Sequence, residues 1–258
     1  MDEQFITVGS RRIEISNLPG KKNDVGFVLL HEGLGCVELW GEFPSRLSQA
    51  FGSTVFSYSR FGYGRSDEVA LPRPLDYHSE EATEYLPKVL DNVSLESCIL
   101  VGHSDGASIA LIYAALFSDP RVKGLVLLAP HVKAEEKTVE QIRQVVDSCN
   151  SSDLFGKLSK YHRDNTECAF YGWSRCWLDP KFSSWTIEHL LPNIDIPVLT
   201  VRGIDDPYNS DYHVQSIRNK VRSLVHTASI VSCGHSPHRE STQSLISTIK
   251  IFRSAIEA

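Results

Sequence analysis

The pattern of apolar and polar positions divides the chain into stretches of unlike rhythm. From the start to about Pro130, short apolar runs alternate with segments of helical periodicity. Phe5–Val8 and Arg12–Ile15 read as a small hairpin. Val25–Leu30, Thr54–Tyr58, Ser97–Val101 and Val122–Leu128 are near-continuous apolar runs, as expected of parallel strands covered on both faces. Val37–Ala50, Ser79–Asn92 and Asp105–Leu116 are the predicted helices between them. This βαβ rhythm predicts an α/β fold with a mostly parallel central sheet and helices on both faces.

His131–Asn193 breaks the rhythm. It holds charged helical stretches and then Phe170–Trp185, where three of the four tryptophans fall together, and it has no strong strand pattern. A helical cap inserted into the sheet domain accounts for both features. Strand patterns resume at Ile196–Val201 and Val225–Val231, separated by a helix near Tyr212–Val221 and followed by a helix at Ser241–Ala255. The predicted organisation is a first part of the core at 1–130, a cap at 131–193 and a second part of the core at 194–258.

Composition narrows the possibilities. The chain has 258 residues, 41% of them in the hydrophobic set, so a sizeable core is available. A chain of this length buries roughly 70–75% of its unfolded surface and needs no disulfide or metal staple. Intrinsic disorder, collagen and a small disulfide scaffold are excluded as descriptions of the whole. With 26 Lys+Arg against 32 Asp+Glu and no long basic run, nothing in the charge points to nucleic acid. Cys36, Cys98, Cys149, Cys168, Cys176 and Cys233 show neither CxxC spacing nor a dense secretory pattern, and no leading segment reads as a signal peptide. Cys98, in an apolar run, reads as a small buried hydrophobe. Apolar stretches break well before eighteen residues, so no membrane helix is expected. A reduced, soluble, cytoplasmic protein acting on a small molecule is the expectation.

The strongest chemical signal is Gly102-His103-Ser104-Asp105-Gly106, a GxSxG sequence between an apolar strand and a helical stretch. A serine there must take a tight, strained turn, and a glycine at each flank prevents crowding. The hydroxyl is then exposed above the sheet, beside the positive end of the following helix. The competing reading is a buried turn serine with coincidental glycines. Phe61-Gly62-Tyr63-Gly64-Arg65-Ser66 lacks the lysine of a phosphate loop and reads as a structural turn.

This arrangement resembles the α/β-hydrolase fold superfamily, over essentially the whole chain. The resemblance implies a triad in the chain order Ser, Asp, His. It makes Ser104 the nucleophile. In Arg202-Gly203-Ile204-Asp205-Asp206-Pro207 the acid of such proteins stands three residues after the glycine, which implies Asp206, with Asp205 as the alternative. Cys233-Gly234-His235-Ser236-Pro237-His238 resembles the late histidine segment and implies His235 as general base, with His238 a neighbour. Leu30-His31-Glu32-Gly33-Leu34-Gly35 resembles the oxyanion loop, with Glu32 where a glycine is usual, and implies backbone donors at Gly33 and Asp105. Trp40 is expected to pack the helix behind that loop.

A serine nucleophile suits an acyl carbon. Esters, thioesters and lactones are the expected substrates, through an acyl-enzyme and without a cofactor or metal. Hydrolysis of a carbon–carbon bond in vinylogous diketones uses the same three roles and stays open. So do a noncatalytic binding role and cofactor-free oxygen or peroxide chemistry. Metal catalysis lacks an HExxH helix, although His31, His103, His235 and His238 could converge. Glu32, His162, Tyr171, Trp173 and Trp177 are the candidate substrate contacts; for each cap aromatic, plain core packing is an equal reading.

Overall fold

In the computed structural model, residues 4–21, 24–149, 152–208 and 210–257 are described. The two opening strands, β1 (Gln4–Val8) and β2 (Arg11–Leu18), pair antiparallel about a turn at Gly9. Then follow β3 (Gly26–Leu30), α1 (Phe43–Phe51), β4 (Val55–Tyr58), α2 (Tyr77–Glu80), α3 (Leu86–Asn92), β5 (Cys98–His103), α4 (Asp105–Leu116) and β6 (Val122–Leu128). The cap contributes α5 (Glu136–Cys149), α6 (Leu154–His162) and α7 (Thr166–Leu178). β7 (Val198–Gly203), α8 (Asp211–Lys220), β8 (Val225–Ile230), α9 (Pro237–Glu240) and α10 (Thr242–Glu257) complete the core.

Among the described residues the strands form one sheet in the order β1-β2-β4-β3-β5-β6-β7-β8. From β4 to β8 all neighbours are parallel, and β2 runs antiparallel to β4. Every residue of β3, β4 and β5 is buried. Because side chains alternate across a strand, the apolar runs feed two separate cores. Val28, Leu30 and Leu100 join α3, α4 and α8 on one face; Phe27, Leu29, Ile99 and Val101 join α1 and α10 on the other. Helix α4 is buried without interruption from Asp105 to Tyr113, so it is the helix on which the sheet centres.

The sheet and the inserted helical cap follow the expected pattern, and the departures have local causes. The hairpin strand expected to end at Ile15 runs on to Leu18 because β4 offers it a second partner. The helix expected over Val37–Ala50 is a 3-10 turn at Glu38–Trp40, a break at Gly41 (φ 59°), and then α1, with Pro44 in its first turn. The helix expected over Ser79–Asn92 contains a π-helical turn at Glu81–Tyr85. Pro87 has no N–H to give the Thr83 carbonyl, and the wider turn absorbs that loss. β7 begins after Pro197 and continues to Gly203, so the expected Ile196–Val201 strand shifts along the chain. The short helix α9 was not foreseen.

The cap has an apolar centre of its own, with Ile142, Trp173, Trp177 and Phe182 buried together and Leu34 and Tyr208 packed against them. Cys98 is buried, as expected. Among the described residues no helix is long and apolar enough to cross a membrane.

Backbones approach closely where α4 begins. A β-carbon on Gly106 would collide with the Leu30 carbonyl of β3, and one on Gly102 with the backbone of Gly106. Backbone cannot yield as a side-chain tip can. Gly106→Ala is therefore expected to lower unfolding free energy by about 3 kcal/mol, the upper end of overpacking costs. Chemical denaturation checks this, and an unchanged midpoint contradicts it.

Candidate active site

Ser104 joins β5 to α4 with φ 52° and ψ −114°, a backbone conformation that costs about 1–3 kcal/mol for a residue with a side chain. Its N–H donates to the Leu128 carbonyl at 2.9 Å, and its own carbonyl accepts from Ala107 N–H at 2.9 Å. The surrounding sheet and helix thus hold the turn from both sides. Ser104 opens onto a cavity of about 120 Å³ that Gly33, Glu32 and His235 also line. Leu34, Ile142 and Trp173 supply its apolar wall, and His131, Thr138 and Tyr208 its polar one.

His235 follows β8, and Asp206 follows β7. The Nδ1–H of His235 donates to Asp206 Oδ2 at 2.8 Å, while Tyr208 N–H donates to Asp206 Oδ1 at 2.8 Å. Asp205 faces solvent, its N–H spent on the Cys233 carbonyl at 2.9 Å. The carboxylate on His235 is therefore that of Asp206. Burial opposes ionisation of Asp206, but the bond and charge of His235 and the Tyr208 N–H outweigh it and hold the carboxyl below its usual range. With the proton on Nδ1, His235 is left with Nε2 as its basic nitrogen.

Asp105 is the first residue of α4, where backbone N–H groups lack intrahelical acceptors. Its carboxylate points inward: Tyr77 Oη donates to it at 2.6 Å, with His78 Nε2 at 3.3 Å and Arg60 at 3.8 Å. Trp177 Nε1 donates to the same Tyr77 oxygen at 3.0 Å. Glu32 stands beside the cavity with Oε2 at 3.2 Å from His103 Nδ1. Burial works against its ionisation too, and the bond and charge of His103 reverse the balance, holding it well below the usual carboxylate range.

Of the cap residues expected at the substrate, Trp173 reaches the cavity. Its indole lies so close over Gly33 that a β-carbon there would collide with Nε1. The other three are placed elsewhere. Tyr171 packs on Phe155 and Phe170 with the Arg175 guanidinium 4.5 Å from its ring. Trp177 is buried against Phe182 and Trp185 behind the elbow. His162 accepts from Gly64 N–H at 3.0 Å and donates to the Leu34 carbonyl at 3.0 Å, so both nitrogens are spent on backbone and brace the cap to the loop that carries Gly33.

His131, Thr138, Ile142 and Tyr208 went unnoticed in the sequence. His131 and Tyr208 stand just beyond the carboxyl ends of β6 and β7, the edge where parallel sheets bind ligands, and that rule could have found them. Thr138 and Ile142 sit one turn apart on α5, whose contact with the core no local pattern specifies. Trp40 is buried, stacked on Phe43 at 5.9 Å and tilted against the His238 ring at 4.8 Å. Burial pushes His238 down to about 3, so it is neutral at ordinary pH. Among the described residues no group of three or more His, Cys, Asp or Glu is arranged to hold a metal ion.

A family model for the alpha/beta hydrolase fold matches residues 27–184, and the chain belongs to that family. It is 24% identical over 184 residues to a bifunctional esterase/perhydrolase of Acinetobacter calcoaceticus, covering 60% of this chain and 65% of that protein. It is 30% identical over 112 residues to the human (lyso)-N-acylphosphatidylethanolamine lipase, covering 43% of this chain and 32% of the lipase. The chain thus spans less than two thirds of the length of either relative. Among solved structures, a membrane phospholipase A described as a bacterial virulence factor superposes with a TM-score of 0.77 at 18% identity, over 99% of this chain and 86% of that one. The enol-lactonase of Burkholderia xenovorans superposes at 0.74 and 15% identity, over 97% and 100%. At such identities the structural likeness is one of fold.

The Asp206–His235 bond makes stability depend on pH in a defined direction. Because the folded-state value of Asp206 lies below the ordinary 3.8, its contribution is complete above 3.8 and is lost as pH falls through the folded value. Asp206→Asn should unfold at lower denaturant than the parent at about pH 6, and the gap should close as the medium is acidified below 3.8. A gap unchanged in strong acid contradicts the assignment.

Proposed function

We propose that the chain is a serine hydrolase cleaving a small-molecule ester, thioester or lactone through an acyl-enzyme, with its cap at residues 131–193. One observation carries the reading: Ser104, on a strained strand-to-helix turn, shares a cavity with His235, whose far nitrogen is held by Asp206 at 2.8 Å. In this reading Nε2 of His235 takes the Ser104 proton as the hydroxyl attacks the carbonyl. Asp206 fixes the tautomer and stabilises the imidazolium that forms. The backbone N–H groups of Gly33 and Asp105 receive the developing oxyanion, the latter assisted by the start of α4. The leaving group takes its proton from His235, and water activated by the same nitrogen frees the acid. The names of the relatives, an esterase and a lipase, agree with this bond type.

A cavity of about 120 Å³ walled by Ile142, Leu34 and Trp173 favours a short acyl group. In a p-nitrophenyl ester series the protein should prefer acetate to butyrate over dodecanoate. Ser104→Ala should lose about a thousandfold or more of kcat with the fold retained. Equal turnover by parent and Ser104→Ala contradicts the nucleophile. Asp206→Asn should lose about a thousandfold or more as well, and Asp205→Asn little; the reverse order would move the acid to Asp205. Trp173→Ala should extend the preference toward longer chains. A loss of stability with the chain-length profile intact would assign Trp173 to packing alone.

A further inference from the structure

His103 stands at the junction of three segments that the reaction requires. It immediately precedes Ser104, it is completely buried, and each ring nitrogen faces an acceptor. Nδ1 lies 3.2 Å from Glu32 Oε2, and Nε2 lies 2.7 Å from the backbone carbonyl of His235. A carboxylate and a carbonyl can only accept. A neutral imidazole donates from one nitrogen, so two such partners are satisfied only when both nitrogens carry protons. His31 and His162 make the contrast. His31 donates to the Glu32 carbonyl at 2.7 Å and accepts from Arg60 N–H at 3.0 Å; His162 likewise has one acceptor and one donor as partners. Both are satisfied as neutral rings.

We propose that Glu32 and His103 form a buried carboxylate–imidazolium bridge that positions the catalytic apparatus, tying the Gly33 loop, the Ser104 elbow and the His235 loop into one rigid unit. This gives a role to the one residue that departs from the usual oxyanion loop. A carboxylate next to an oxyanion hole would oppose the negative charge forming there; paired with an imidazolium it presents no net charge. The loop is shaped to seat that carboxylate, since a β-carbon on Gly35 would collide with Glu32 Oε2. The other titratable groups facing the bridge are His238, whose ring lies 4.9 Å from His103, His235 at 5.0 Å and the Asp206 carboxylate on the His103 side, and His31, His162 and Cys36 on the Glu32 side. The neutral His238 adds no competing positive charge. Glu32 and His103 act through Gly33, Ser104 and His235, so they are positioning residues, and the proposal rests on the hydrolase reading for its catalytic consequence.

The test has a spectroscopic and a kinetic arm. In the full chain with 15N-labelled histidine, the His103 signals are assigned by their loss in His103→Gln. Both ring nitrogens should read as protonated at neutral pH, and one should lose its proton in Glu32→Gln. With a p-nitrophenyl short-chain ester, Glu32→Gln and His103→Gln should each lower kcat about tenfold or more and leave KM within about twofold. A singly protonated His103 in the parent chain overturns the bridge, as does a Glu32→Gln protein in which both protons persist. A rise in KM with kcat intact overturns positioning in favour of direct substrate contact by Glu32. The nitrogen signals need no turnover, so a chain that hydrolyses no ester, thioester or lactone while His103 reads doubly protonated overturns the hydrolase reading and leaves the bridge standing.

Discussion

The structure turns on the backbone of one residue. Ser104 occupies a conformation that its side chain disfavours, and it stays there because β5 and α4 leave no alternative. The strand before it is wholly buried, and so is the first half of the helix after it. A turn costing about 1–3 kcal/mol is offset by elements in which each buried aliphatic side chain contributes roughly 1.5–3 kcal/mol. Strain placed at the centre of the sheet is thereby affordable, whereas the same turn at an edge would relax. The glycines on either side follow from this, because α4 must approach β3 to backbone contact.

A second constraint is the charge buried beneath the elbow. Arg60, fully enclosed, donates to the His31 and Glu32 carbonyls at 3.0 Å each and faces Asp105 at 3.8 Å. Arg73 bonds the Phe61 carbonyl and lies 3.5 Å from Glu81, whose carboxyl burial pushes upward. Such groups add little net stability, yet breaking one pair strands its partner, which is how they specify a single arrangement. Here they fix the loop of residues 31–34 from below, and through Tyr77 and Trp177 they join the elbow to the cap. The cap's tryptophans thus divide their work: Trp173 bounds the cavity and Trp177 braces the elbow.

Much of this was legible in the sequence because the information is local. The parallel strands announce themselves as apolar runs, and α4 was placed residue for residue at Asp105–Leu116. Ser104, Asp206 and His235 could be picked out from short segments at strand ends; in the structure Ser104 and His235 line one cavity and His235 is bonded to Asp206. What escaped depends on contacts across the chain. Nothing near Tyr171 or His162 says that one is half-buried against Phe155 and Phe170 and the other is consumed by backbone at Gly64 and Leu34. The role of Glu32 was equally hidden, since its partner lies 71 positions away. Pro87 marked the π-helical turn, but a proline inside a helical pattern announces only a disturbance and not its form.

The most direct test is a crystal structure of the protein after reaction with a short alkyl fluorophosphonate. The account predicts a single covalent adduct on Ser104 Oγ, with its phosphoryl oxygen about 3 Å from the N–H groups of Gly33 and Asp105 and its alkyl group in the cavity against Trp173. An adduct on another residue, or a phosphoryl oxygen turned away from both N–H groups, would contradict it.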